Sequence, residues 1–182
     1  ELTKLIRDGK TIGTFSKNEM NANQNNIWSR CWNINRNWPV EKLIPPSYPN
    51  EAPVYRAILK KEFEKVGGFE STGEYTDDWS LSRKLGVLST AAPGAVYFHE
   101  NPANLMEVYK QARWIGKSEF ISGSNLRKFR SIILFNPITS FTIALLKSFL
   151  NLNPNFFVFK IVYDAAVFKS VISSFWESSK AK

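Results

Sequence analysis

The chain has 182 residues, 43% hydrophobic and 22% charged, which suits one folded domain with a real core better than two full domains and excludes a disordered chain. Its single cysteine, Cys31, excludes an internal disulfide framework and a cysteine-built zinc site, leaving carboxylates, amides, aromatics, basic groups and the lone His99 to carry any chemistry. The formal charge of +8 is unevenly spread: residues 1–116 hold 15 Lys/Arg against 13 Asp/Glu, and 117–182 hold 9 against 3. Cations interleaved with aliphatic and aromatic residues suit an anionic bilayer surface, and no nucleic-acid module signature accompanies them.

In chain order, "ELTKLIRDGKTIGTFSK" predicts a short helix, a turn at Asp8-Gly9 and a strand near Thr11 to Phe15. Met20, Asn23, Ile27, Arg30 and Ile34 then recur at helical spacing through an asparagine-rich stretch, predicting a helix with a thin apolar stripe. Its amides and Trp28, Trp32 and Trp38 are the residue types that wall a sugar site, although a surface helix with aromatic anchors explains them more simply. Five of the nine prolines fall in "PVEKLIPPSYPNEAP", a predicted loop. A strand near Val54 to Ile58 and a helix from Lys60 to Val66 follow, with Gly67 as the left-handed stop and Gly68 open to close backbone approach.

Thr76 as N-cap, Asp77 and Asp78 in the first turn and Gly86 just past the end predict a helix of about two turns. Taken alone, the two aspartates complement the helix dipole. Strands near Leu88 to Ala91 and Ala95 to Phe98 flank a Pro93-Gly94 turn, and His99 ends the second. Asn101 as cap and Pro102 at the first position open a helix whose buried stripe is Leu105, Val108, Tyr109, Ala112 and Ile115. Lys110, Arg113 and Lys117 share another of its faces.

From Ser131 the pattern changes. Residues 131–150 are apolar for nearly the length of a membrane span, but Asn136, Pro137 and Lys147 interrupt them, so spanning is permitted and not required. Farther on, Phe157, Ile161, Phe168, Ile172 and Phe175 align along one side of a predicted amphipathic helix. Lying in a lipid interface is the favoured role for it, with packing against the globular part or an oligomer partner as the alternative.

The stretch "RAILKKEFEKVGGF…GEYTDDWSLSRKLG…APGAVYFHENPANLMEVYKQARWIGKS" resembles the C-terminal half of a family 2 glycosyltransferase of the GT-A fold, over about residues 50–118. The shared features, in order, are a "GGF" turn, an acidic pair followed by Trp and Leu, a strand-terminal His, and a helix with Gln and basic residues. The resemblance implies an inverting sugar transfer from a nucleotide-sugar donor to an acceptor hydroxyl, with Asp78 as the catalytic base and Asp77 as the other acid of the pair. It implies substrate contacts from Gly68, Phe69, Glu70 and Trp79, and from Lys110, Gln111, Arg113 and Trp114. It places His99 near a divalent metal, Mg or Mn, or near the diphosphate. "QARW" at 111–114 is one residue shorter than the Gln-x-x-Arg-Trp signature of processive synthases, so processivity does not carry over.

No Asp-x-Asp occurs in the 182 residues, and the family's nucleotide-binding half has no counterpart. The chain opens with neither an initiator methionine nor a leader, so the expectation is the acceptor-side portion of a longer enzyme, inactive alone, with the main metal motif in a missing N-terminal half or an oligomer partner. The expected fold is α/β: residues 1–118 as the acceptor-side part of a GT-A, Rossmann-like catalytic domain, and 119–182 as a helical, amphipathic, membrane-interacting tail. A glycan or lipid-linked acceptor and a membrane-associated location on the cytoplasmic face complete that expectation. The rival is a non-catalytic membrane-surface or oligomerisation module that keeps the fold.

Overall fold

The computed structural model describes residues 1–45, 47–70 and 77–177. In chain order it begins with α1 (Lys4–Arg7), β1 (Gly13–Phe15), β2 (Asn18–Asn21), α2 (Ile27–Arg36), β3 (Glu51–Ala52), β4 (Ala57–Ile58) and α3 (Lys60–Lys65). A 3-10 turn (Asp77–Trp79) runs directly into α4 (Ser80–Leu85), followed by β5 (Ser89–Ala91), β6 (Val96–His99) and α5 (Leu105–Gly116). Helices α6 (Glu119–Ser122), α7 (Asn125–Phe135), α8 (Pro137–Leu150) and α9 (Asn155–Glu177) complete the described residues, and the chain is mixed α/β. Its contacts group into two compact units: Glu1–Ala22 with Glu41–His99, and Asn23–Val40 with Glu100–Lys182.

The first unit is built on two small sheets. One is four-stranded in the order β3-β5-β1-β4, with β1 parallel to β5 and the outer pairings antiparallel. The other pairs β2 with β6 in parallel, placing Glu19 beside Tyr97 and Asn21 beside His99. Ser16 breaks the run between β1 and β2, donating its hydroxyl to Ala95 O at 2.7 Å while accepting from Asn18 N–H at 3.0 Å. Phe15, Tyr55, Leu81 and Ala92 fill the core. A side chain at Gly13 would strike the Tyr55 ring, so that position needs glycine for the approach rather than for its dihedral.

The asparagine-rich stretch departs from the uniform helix its spacing predicts. Met20 lies in β2, and the helix begins only at Ile27, because Asn26 caps it by accepting from the N–H groups of Trp28 and Ser29. Helix α5 likewise starts later than predicted. Asn104 is its cap, accepting from Glu107 N–H at 3.0 Å, and the Glu107 carboxylate reaches back past it to accept from Ala103 N–H at 2.7 Å. Asn101 is instead buried inside the unit, where it donates to Asn33 Oδ1 at 3.0 Å and exchanges two hydrogen bonds with Asn23. The expected N-cap Thr76 lies outside the described residues.

In the second unit α9 is the central helix. Phe156, Phe159, Val167 and Val171 are fully buried along it, and Trp32 of α2 packs edge-on against Phe159 and Tyr163 at 6.1 and 5.5 Å between ring centroids. The buried line thus runs one position away from the stripe of Phe157, Ile161, Phe168, Ile172 and Phe175. Helix α9 is apolar nearly all round, so its composition leaves the phase of the stripe open and neighbouring helices set it. Helix α5 crosses α9 at Gly116, where a Cβ would come within 2.7 Å of Ser170, and the Ser170 hydroxyl donates to Arg113 O at 2.7 Å.

Candidate functional site

The first unit gathers a polar cluster around Arg56. Its Nε lies 2.9 Å from Glu19 Oε1, and its guanidinium carbon sits 5.0 Å from the centre of the Tyr97 ring. Register explains this: Glu19 and Tyr97 are partners across β2 and β6, so they project from the same face. Two residues on, His99 stacks on Tyr97 with centroids 6.4 Å apart and rings inclined by 16°. Tyr48, from the proline-rich loop, meets Phe15 edge-on at 5.8 Å.

Asp78 belongs to this cluster electrostatically. Burial pushes the Tyr48 phenol above its ordinary value, and the negative charges of Glu19 and Asp78 push it further, against Arg56. For Arg56, burial works to lower its basicity, but the hydrogen bond and charge of Glu19, with Tyr97 and Asp78, outweigh it and hold the guanidinium above its ordinary value. Asp78 is half-buried on the 3-10 turn, beside a half-buried Trp79 and the fully buried Ser80. Glu19 is thus the carboxylate bonded to this guanidinium, with the Tyr97 ring against it, while Asp78 acts on both Arg56 and Tyr48 through its charge. The side chain of Asp77 falls outside the described part of the molecule.

The "GGF" turn is fastened to the helix that follows Asp78. Ser80 Oγ accepts from Glu70 N–H at 3.0 Å, and Lys84 Nζ donates to Gly68 O at 2.9 Å. Gly67 and Gly68 both adopt left-handed backbone, φ +70° and +71°, and Gly68 lies against the Phe63 ring. Phe69 packs edge-on to Phe63 at 5.6 Å yet keeps half its surface in solvent. The turn therefore both ends α3 and presents an aromatic face.

A second feature lies wholly in the other unit. A groove of about 480 Å³ along α5 is lined by Glu107, Lys110, Gln111 and Trp114, with Glu100, Asn101 and Pro102 at its end. Trp114 is 40% exposed there, whereas the Glu107 carboxylate is held by Asn104 Nδ2 at 2.7 Å. Arg113 is half-buried away from that lining, and its Nε has no hydrogen-bond partner among the described residues.

His99 is exposed at its strand end, and among the described residues no three His, Cys, Asp or Glu side chains gather as metal ligands. Glu19, Tyr48, Arg56 and Tyr97 escape a sequence reading because Glu19 sits in a stretch with helical spacing and Tyr48 in a loop. No apolar/polar alternation marks β2, whose buried positions are Glu19 and Asn21, so the strand left no signal in the sequence. No family model, curated protein or solved structure matches this chain.

Proposed function

We propose that this chain is the acceptor-side portion of an inverting, membrane-associated glycosyltransferase of GT-A type, working with a nucleotide-binding half supplied outside it. The observation that carries this reading is the setting of Asp78, a half-buried carboxylate whose charge is felt by Tyr48 and Arg56 and whose helix is tied to the "GGF" turn. A base for this reaction has to be fixed by its backbone and kept near the acceptor hydroxyl. Asp78 accepts the hydroxyl proton as the acceptor oxygen bonds to the anomeric carbon and the bond to the nucleoside diphosphate breaks on the opposite face, inverting the centre. Phe69 and Trp79 offer aromatic faces to a sugar, and Gly68 and Glu70 shape the turn beside them. Lys110, Gln111, Arg113 and Trp114 are the further substrate-binding residues of this reading, in which the divalent ion belongs to the absent half.

The test is sugar transfer from nucleotide-sugar donors by the complete protein. Asp78→Asn is expected to lower transfer by about 10²–10⁴-fold with donor binding kept. Transfer at the unaltered rate overturns the base assignment and favours the second reading, a non-catalytic membrane-surface or oligomerisation module. The observation favouring that alternative is the outward apolar surface of α7 and α8, which needs no chemistry in the first unit.

A further inference from the structure

Helix α8 packs against α9 with the wrong residues for a helix in water. The face it buries carries Ser140 and Ala144, 3% and 0% exposed, while Ile138 and Phe149 on its outer face are 81% and 78% exposed, with Phe141 and Leu145 more than half exposed between them. Helix α7 repeats the inversion. It buries Lys128 and Ser131 and exposes Leu126, Phe129 and Ile133. Lys128 Nζ donates inward to Ser174 O at 2.7 Å, and the carboxylate of Asp164, fully buried, takes bonds from Ser140 at 2.7 Å and Lys160 at 2.8 Å. Polar groups paired inside, small residues where helices meet and large apolar side chains outside form the pattern of helices bathed in hydrocarbon.

We propose that α7 and α8 form a lipid-facing wedge that seats this unit in the interfacial layer of an anionic bilayer. No single helix among the described residues is long and apolar enough to cross a membrane; α7 and α8 qualify only together, and they are bent by 54°. Asn136 builds that bend, its Oδ1 accepting from Ile138 and Thr139 N–H groups and its Nδ2 donating to Ile133 O at 2.6 Å, so these backbone groups stay paired at the break. Helix α8 spans about 21 Å, less than a hydrocarbon core of about 30 Å, which fits lying in one leaflet rather than crossing two. Charge selects the occupant: Arg127 and Arg130 are exposed on α7 beside its outward apolar side chains, suiting anionic headgroups. The inference deepens the membrane part of the proposed function, and it assigns contact to α7 and α8, leaving α9 as the internal support.

The test is vesicle co-sedimentation of the whole chain, with phosphatidylcholine vesicles with and without about a third phosphatidylserine. No sugar chemistry enters the readout, so failure of the catalytic reading leaves it unchanged. Binding to the anionic vesicles is expected, falling by at least about tenfold in a Phe141→Ser, Leu145→Ser, Phe149→Ser variant. Arg127→Gln with Arg130→Gln is expected to weaken binding and flatten its dependence on salt. A Phe149→Trp variant keeps the face apolar and is expected to gain fluorescence that lipids brominated on their acyl chains quench. Equal binding by wild type and the triple variant, or no added quenching at position 149, overturns the proposal. So does a wild-type dimer that the triple variant dissociates while lipid binding stays the same, which would make a second copy the occupant.

Discussion

Replacing Asp164 by alanine is expected to destabilise the helical unit by several kcal/mol, and the size follows from what it leaves behind. The carboxylate is fully buried, 2.8 Å from a Lys160 side chain only 9% exposed and 2.7 Å from the Ser140 hydroxyl. Removing one partner strands a buried ammonium, a loss of about 3–5 kcal/mol. The orphaned hydroxyl adds about 1 kcal/mol. Removing both charges, as Lys160→Met with Asp164→Leu, eliminates the pair and its desolvation together and is expected to range from neutral to a gain of about 1–4 kcal/mol, less about 1 kcal/mol for the Ser140 hydroxyl it still orphans. Urea unfolding followed by tryptophan fluorescence reads this directly, since Trp32 packs 5.5 Å from Tyr163 on the same helix. A loss below about 1 kcal/mol for Asp164→Ala is the range of a solvated pair and would refute the inside-out packing of α8 on α9.

Burial pushes the Cys31 thiol up to about 11, so the folded state keeps its proton where the unfolded chain, near 8.5, gives it up. The stability this group contributes is complete below pH of about 8.5 and declines as pH rises toward 11, and Cys31→Ala is expected to remove that slope in alkaline unfolding curves. Native Cys31 should also resist alkylation at mildly alkaline pH, whereas urea-unfolded protein should react at once. Asp78→Asn is expected to shift one phenol titration toward lower pH in ultraviolet difference spectra, since the Asp78 charge helps raise Tyr48; an unmoved titration would place the two groups apart. Gly116→Val should destabilise by about 1–3 kcal/mol through overpacking against Ser170, measured as a lowered unfolding midpoint.

Local chemistry made much of this fold legible. Gly67, Gly86 and Gly94 do adopt the left-handed backbone their neighbours require, at φ +70°, +66° and +73°, and the helix after Asp78 ends where Gly86 stops it. The elements that escaped are those decided by partners distant in the chain. Parallel pairing with β6 draws Asn18–Asn21 into a strand despite helical spacing, and Asn101 trades a cap for a buried amide network with Asn23 and Asn33. Of the candidate site residues, Lys110, Gln111 and Trp114 do share one groove, as their i, i+1, i+4 positions on α5 allow. The Arg56 cluster was illegible because its members come from five separate stretches, joined only by sheet register and loop placement.

With only a hydrogen at Gly116, α5 lies so near α9 that neither can slide along the other without meeting the Ser170 side chain. The channel beside Trp114 is therefore bolted to the same spine on which α8 leans. With α8 seated in a bilayer as proposed, the stand-off of that channel would be set by this packing, like the setting of a depth gauge. A reactant anchored in that layer would be met at a single height, and lengthening or shortening its tether would decide whether it arrives.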